Sequence, residues 1–273
     1  MKELSIRAIS GAIYVLLLIG SLYMQDALTA LLALFGILSL VEFSNLIHLK
    51  SFVQYIIFIL FFGGFWYLCL WEKNLSGSDE AIQILLVITI FVNLILIKDL
   101  FTTKRIPIFS SKSYIVTTFY LTSGFIFMLL IANYQNVFTP QLLLGGFILI
   151  WVNDSAAYLI GKNFGKQKLF PRISPKKTVE GFLGGLFFAC VSSYFISLYT
   201  KTLGFTSWLI LAIIVSVLGT LGDLIESKFK RQAGVKDSGV IMPGHGGLLD
   251  RLDSIIFASP FIYLFLRILS YVS

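Results

Sequence analysis

The chain has 273 residues, of which 57% are hydrophobic and only 13% charged, with a mean hydropathy of +0.89, whereas soluble domains carry roughly 25% charged residues. That balance excludes an ordinary soluble domain and identifies an integral membrane protein. The formal charge of +7 would suit nucleic acid, but basic loops beside spanning helices already serve topology and anionic headgroups, and no recognition module is visible, so nucleic acid is not an expected partner.

Apolar runs of the roughly 20 residues needed to span a bilayer fall at 8–24, 27–47, 52–71, 81–97, 114–132, 141–161, 179–200, 205–226 and 252–270. They predict an all-α polytopic protein with about nine transmembrane helices. The runs are too long, and too free of period-2 alternation, for strands of a transmembrane barrel. Residues 1–20 begin basic and turn apolar like a signal peptide, yet no small-x-small cleavage site follows within Ser21 to Asp26, so this segment is expected to stay as the first helix. Cys69 and Cys190 lie inside apolar runs, which argues against a disulfide framework or a cysteine metal site.

Basic residues are distributed unevenly between the two sides. The N-terminus and the loops after the second, fourth, sixth and eighth helices hold 18 of the 21 Lys and Arg residues, leaving Lys73, Lys201 and Arg267 opposite. By the positive-inside rule the N-terminus and the charged loops are expected in the cytoplasm and Ser273 outside. Residues 1–140, apolar with bland polar punctuation and a basic linker at 98–113 containing Pro107, read as transmembrane scaffold. Residues 141–273 read as the catalytic region, with cytoplasmic loops 162–178 and 227–249. Here acids stand where lipid-facing helices would not carry them: Asp154, Glu180, Asp223, Glu226, Asp250 and Asp253. Such groups must face protein or water.

Asp250 and Asp253 are three apart at the start of the last helix, which stacks both carboxylates on one face. With Asp223 from the cytoplasmic end of the eighth helix they offer three hard oxygen ligands for Mg²⁺, and a second cation remains open. The alternative is a pair of helix N-terminal acids that complement the dipole and pair with Arg251. Immediately before lies Pro243-Gly244-His245-Gly246-Gly247, whose glycines allow the tight turns that cradle an anion at a helix N-terminus. His245 is a candidate for phosphate contact or proton transfer, or merely for loop hydrogen bonding.

The loop GKNFGKQKLFPRISPKKT, residues 161–178, carries six basic residues, Arg172 among them. Its GKNFGK is too short for a P-loop and no Ser or Thr follows Lys166. Ser174-Pro175-Lys176-Lys177-Thr178 is the better candidate grip for a polyphosphate. Glu180-Gly181 through Gly185 opens the next helix with small residues four apart, suited to close packing within the chain or across a homodimer. Asp154, flanked by Asn153 and Ser155 in an apolar helix, belongs either to a substrate cavity or to a buried polar lock. No HExxH, GxSxG or zinc set is present, which removes the membrane protease and lipase readings.

Ser227, Phe229, Lys230-Arg231, Lys236-Asp237, Gly239, Pro243, His245-Gly246-Gly247, Asp250-Arg251 and Asp253 together resemble the signature of the bacterial phosphatidate cytidylyltransferase (CDP-diacylglycerol synthase) family. An upstream block, Asp154-Ser155, Gly161-Lys162, Gly165-Lys166, Leu169, Ser174 to Thr178 and Glu180-Gly181, is similar as well. The resemblance covers roughly residues 150–254. It implies reaction of CTP with phosphatidate to give CDP-diacylglycerol and pyrophosphate, with Mg²⁺ required. In that reading Asp223, Asp250 and Asp253 hold metal, and Lys236 and His245 join them as catalytic residues. Asp154, Arg172, Ser174, Lys176, Lys177, Thr178, Lys230, Arg231, Gly246 and Gly247 contact substrate. Two alternatives stand beside it. An anionic-solute transporter would place its charges near the bilayer midplane rather than at one face, and a CDP-alcohol phosphotransferase would need a DGxxAR motif that is absent.

Overall fold

Alternating apolar stretches and polar punctuation resolve, in a computed structural model, into ten α-helices and one small hairpin among the described residues. It describes residues 2–72, 76–106 and 110–272; Lys73, Pro107 and Ser273, used in the topology reading, lie outside them. The helices are α1 (Lys2–Ser21), α2 (Gln25–Leu46), α3 (Val53–Trp66), α4 (Ser78–Phe101), α5 (Ser110–Val116), α6 (Ser123–Ala132), α7 (Pro140–Phe164), α8 (Val179–Thr200), α9 (Phe205–Gln232) and α10 (Leu249–Val272). A π-helical stretch, Thr117–Thr122, joins α5 to α6, so that the two form a single crossing. Among the described residues eight helical segments are long and apolar enough to span a membrane, and α1 adds a shorter apolar stretch, Ile6–Ser21.

The most buried element is α6, whose residues from Phe125 to Ala132 are all enclosed by protein. It packs against α10, where Gly124 makes the approach possible: a Cβ there would stand 2.7 Å from the Ile256 carbonyl oxygen. Ser259 Oγ then donates to the Gly124 carbonyl at 2.9 Å, satisfying a hydroxyl that lipid could not. By contrast α3 and α4 present Ile56, Ile59, Leu60, Ile84, Val87 and Phe91 outward. In a bilayer such surface has no reason to be buried, because lipid tails are as apolar as the side chains.

Helices α7 and α8 meet through small residues. A Cβ on Gly181 would lie 2.7 Å from the Ala157 carbonyl oxygen, and one on Gly185 would lie 2.7 Å from that of Asn153. The small-residue face anticipated for helix packing is therefore used within the chain. Two boundaries differ from expectation. The basic 162–178 loop is partly an antiparallel hairpin, β1 (Lys168–Phe170) and β2 (Ser174–Thr178), short enough for Pro175 to sit in it without breaking a ladder. Helix α9 runs past residue 226 to Gln232, because no helix breaker intervenes until Gly234. There the chain turns left-handed (φ +73°), with the Val235 and Gly234 N–H groups donating to the Lys230 and Arg231 carbonyls. Lys228, Lys230 and Arg231 are thus helical rather than loop residues.

Candidate active site

The ends of α7, α8 and α9, the start of α10 and the β1–β2 hairpin enclose a cavity of about 790 Å³. Lys162, Lys168, Lys176 and Lys177 make part of its wall cationic, and Asp154, Asp223, Asp250 and Asp253 line it with them, Lys177 in direct contact with Asp223. Ala157, Tyr158, Leu169 and Phe182 supply apolar surface.

Each charged group is placed by an identifiable local device. Thr178 caps α8, its Oγ1 accepting the Gly181 N–H at 3.1 Å, while Glu180 takes the Lys166 and Gln167 N–H groups at 3.0 and 3.1 Å. These two bonds bind the hairpin to the head of α8 and leave Lys176 and Lys177 facing the cavity. Lys177 Nζ lies 2.5 Å from Asp223 Oδ2. Burial works against the ammonium charge, but Asp223 first, and Asp154 and Asp253 behind it, overcome that cost and hold the Lys177 pKa above the ordinary lysine value. Asp154, Asp223 and Asp253 line the same cavity, and Lys177, paired with Asp223, offsets part of their charge. Asn153 Nδ2 steadies Asp154 at 3.2 Å.

Asp250 is differently employed. Its Oδ1 accepts from Lys230 Nζ at 2.6 Å, and its Oδ2 accepts the Ser238 and Gly247 N–H groups at 3.0 and 2.8 Å. Lys230 also pairs with the wholly buried Glu226 one turn away. Among the described residues no group of three His, Cys, Asp or Glu side chains is placed to hold a metal ion. The spacing of Asp250 and Asp253 stacked them correctly on one helix, but Lys230 and two backbone amides already occupy the first of them.

Several other candidates fall elsewhere. His245 is absent from the cavity wall; its Nδ1 stands 2.8 Å from Ser10 Oγ on α1, and Gly11 lies against the far side of the ring. Burial first, then Arg251 and Arg7, push the His245 pKa below the usual imidazole range. Lys230 touches the cavity but is committed to the buried Glu226 and Asp250. Arg231 donates to the Ile173 and Val235 carbonyls at 3.3 and 3.0 Å, and Arg172 to the Thr102 carbonyl at 2.7 Å; both tie loops together and neither lines the cavity. Ser174 opens β2 opposite Phe170, and Lys236 is exposed, outside the lining. Gly246 turns left-handed (φ +90°) where a Cβ would crowd Asp250 Oδ2, so its role is to shape the turn. Gly247 serves through its N–H on Asp250.

The site also contains residues that the sequence reading named or counted without giving them a site role. Lys162 and Lys168 belong to the cationic wall, and Asp237 and Arg251 stand at the α10 side. Glu42, from α2, reaches the turn before α10 across some two hundred positions of sequence, accepting the Leu248 and Leu249 N–H groups at 3.2 and 2.8 Å and Ser238 Oγ at 3.3 Å. A signal for it existed: beyond Asp26 in the first turn, Glu42 is the one acid in the apolar run of α2, the same anomaly that singled out Asp154.

A model of the cytidylyltransferase family matches residues 5–269. Phosphatidate cytidylyltransferases of Bacillus subtilis (strain 168) and Staphylococcus aureus (strain COL) are each 49% identical to the chain, over 124 and 126 residues. That of Staphylococcus haemolyticus (strain JCSC1435) is 48% identical over 126. These alignments cover 45% of this chain, and 46%, 48% and 48% of the three relatives, so the matched stretch spans about half the length of the curated relatives. The family match takes in every element that builds the cavity, from α7 through α10, and the α2 helix that reaches it; on that basis the chain belongs to the cytidylyltransferase family.

Proposed function

We propose that the protein transfers the cytidylyl group of CTP to phosphatidate, giving CDP-diacylglycerol and pyrophosphate at the cytoplasmic face of a bacterial inner membrane. The observation that carries this reading is the cavity itself, where four lysines face a set of aspartates at the ends of membrane-spanning helices. A soluble nucleotide triphosphate and a lipid phosphate can meet only at such a boundary.

The chemistry needs positioning and charge more than a covalent nucleophile. A phosphate oxygen of phosphatidate attacks the α-phosphorus of CTP, the new P–O bond forms as the bond to the β-phosphate oxygen breaks, and the electron pair leaves with pyrophosphate. Because the attacking oxygen is already anionic, no side chain need remove a proton, which agrees with His245 facing α1. Lys162, Lys168, Lys176 and Lys177 neutralise the triphosphate and the departing pyrophosphate through charge-assisted hydrogen bonds. Tyr158, Phe182 and Leu169 offer apolar surface for the base or the glycerol end of the lipid.

Mg²⁺, when bound, would polarise phosphate oxygens and offset the charge of the leaving group. Mg²⁺ is ordinarily held by one or two carboxylates, with phosphate oxygens and water completing its shell. Asp223 and Asp253 fit that requirement: both line the cavity, Asp223 beside Lys177 and Asp253 accepting the N–H of its neighbour Ser254, whereas Asp250 is held by Lys230 and two backbone amides.

The test is to incubate the purified protein in detergent with CTP, phosphatidate and MgCl₂ and follow pyrophosphate. Release that depends on both substrates is expected. No release, or release indifferent to phosphatidate, would reject the assignment.

A further inference from the structure

A carboxylate from the apolar first half of the chain sits at the root of the helix that carries Asp250 and Asp253. Glu42 is only 3% exposed, and its two oxygens receive three donors: the Leu248 N–H on Oε1, and the Leu249 N–H and the Ser238 hydroxyl on Oε2. Leu249 begins α10, so these are among the amides that a helix leaves unsatisfied at its N-terminus, where negative charge is favoured. The space is shaped for this side chain. A Cβ on Gly239 would lie 2.2 Å from Glu42 Oε1, and one on Gly247 would lie 2.7 Å from Oε2.

Asp250 makes the reciprocal attachment. Its Oδ2 takes the Ser238 and Gly247 N–H groups, so Glu42 and Asp250 grip the same two chain segments, one around residue 238 and the other around residues 247–249, from different helices. Asp253 follows Asp250 by one helical turn, and any rotation of the first turn of α10 therefore moves both carboxylates relative to Lys177 and Asp223.

We propose that Glu42 is a positioning residue for this reaction, holding the 238–239 turn and the α10 N-terminus in the register at which Asp253 faces Asp223. The inference rests on the proposed function for its kinetic consequence and on geometry alone for its structural one. Glutamine at position 42 keeps the size but turns an NH₂ group toward one of the backbone donors. Aspartate keeps the charge but withdraws it by about one bond length, ~1.5 Å.

The experiment compares wild type, Glu42→Gln, Glu42→Asp and Ser238→Ala, each purified in detergent. Three quantities are measured: kcat and KM for CTP and phosphatidate, the Mg²⁺ concentration for half-maximal rate, and amide hydrogen exchange in peptides covering 236–252. Glu42→Gln is expected to lower kcat per folded molecule by about ten- to hundredfold, the usual effect of removing a group that orients site residues. Its KM for CTP should stay within about twofold, its Mg²⁺ requirement should rise, and exchange should quicken in the 236–252 peptides but not in those of α7. Ser238→Ala, which removes one of three bonds, should show the same pattern at smaller size. A purely structural role would lower the yield of folded protein while leaving kcat per folded molecule and the Mg²⁺ requirement unchanged, and that result would overturn the proposal. If Glu42→Gln does not insert, Glu42→Asp and Ser238→Ala decide it by the same criteria. Should the wild type fail to consume CTP and phosphatidate, the function is wrong, while unaltered exchange in the variants would separately refute the brace.

Discussion

Lys230 shows why a basic residue in a signature motif need not touch substrate. It is held between Glu226 and Asp250, with side chains 10%, 0% and 6% exposed. Removing the cation leaves the buried Glu226 carboxylate without its charge partner and Asp250 with only its two backbone donors, a change that costs on the order of 3–5 kcal/mol. Lys230→Gln is therefore expected to lower the unfolding midpoint in detergent markedly and to lose activity through instability. Lys176→Gln, by contrast, should leave the midpoint unchanged and raise the KM for CTP. Equal thermal stability of the two variants would show that the buried triad does not hold the fold. Asp253→Asn is expected to abolish turnover without altering stability by a comparable amount, since an amide cannot supply the charge that attracts Mg²⁺; near-parental rates at limiting Mg²⁺ would remove Asp253 from the site.

His245 supplies a pH dependence of definite sign. Its folded pKa lies below the ordinary value of about 6.5, so the unfolded chain takes up a proton on acidification before the folded one does. The stability it contributes is present above about pH 6.5 and is lost as pH falls through the depressed folded value. Thermal melts of wild type and His245→Gln should thus converge on going from pH 7.5 to 5. A constant difference across that range would mean that the ring's charge state is not coupled to folding.

At the scale of elements, the α7–α8 pair and the hairpin it supports determine where the cationic wall stands. Gly185 has the Asn153 carbonyl 2.7 Å from where a Cβ would go, and neither helix backbone can yield without moving Asp154 or the cap at Thr178. Gly185→Val is expected to separate the helices, lowering both stability and activity. Gly63 on α3 has nothing within 4 Å, so Gly63→Ala should be neutral or stabilising by up to about 1 kcal/mol through the lost backbone freedom of glycine. Unfolding midpoints for the two variants check both halves of the contrast. The small residues at 181 and 185 announced close packing in the sequence. The hairpin did not announce itself, because a strand of five residues with a proline and two lysines carries no periodicity to read.

At the scale of the whole molecule, the charge asymmetry predicts that cysteines introduced at Lys166 and Lys236 react only with reagents that reach the cytoplasm, and that one at Thr202 reacts from outside. The background would be Cys69→Ser/Cys190→Ser. Labelling of Lys236→Cys from the external face would place the cavity on the wrong side of the membrane for a cytosolic nucleotide.

The membrane-spanning helical architecture is legible from residue order alone, because hydrocarbon length and backbone hydrogen bonding leave a chain this apolar few alternatives. Residue order also singled out Asp154, Lys176, Lys177, Asp223 and Asp253, since charge placed beside lipid needs a reason. How those charges are partnered follows from the packing of the helices. Asp250 was diverted to Lys230 and two amides, His245 to Ser10, and Glu42 was recruited from the far half of the chain. Such pairings depend on which helices touch, and residues some two hundred positions apart carry no local spacing that records their contact. Burial is what makes each pairing compulsory, because a polar group taken out of water must find its partner within the protein.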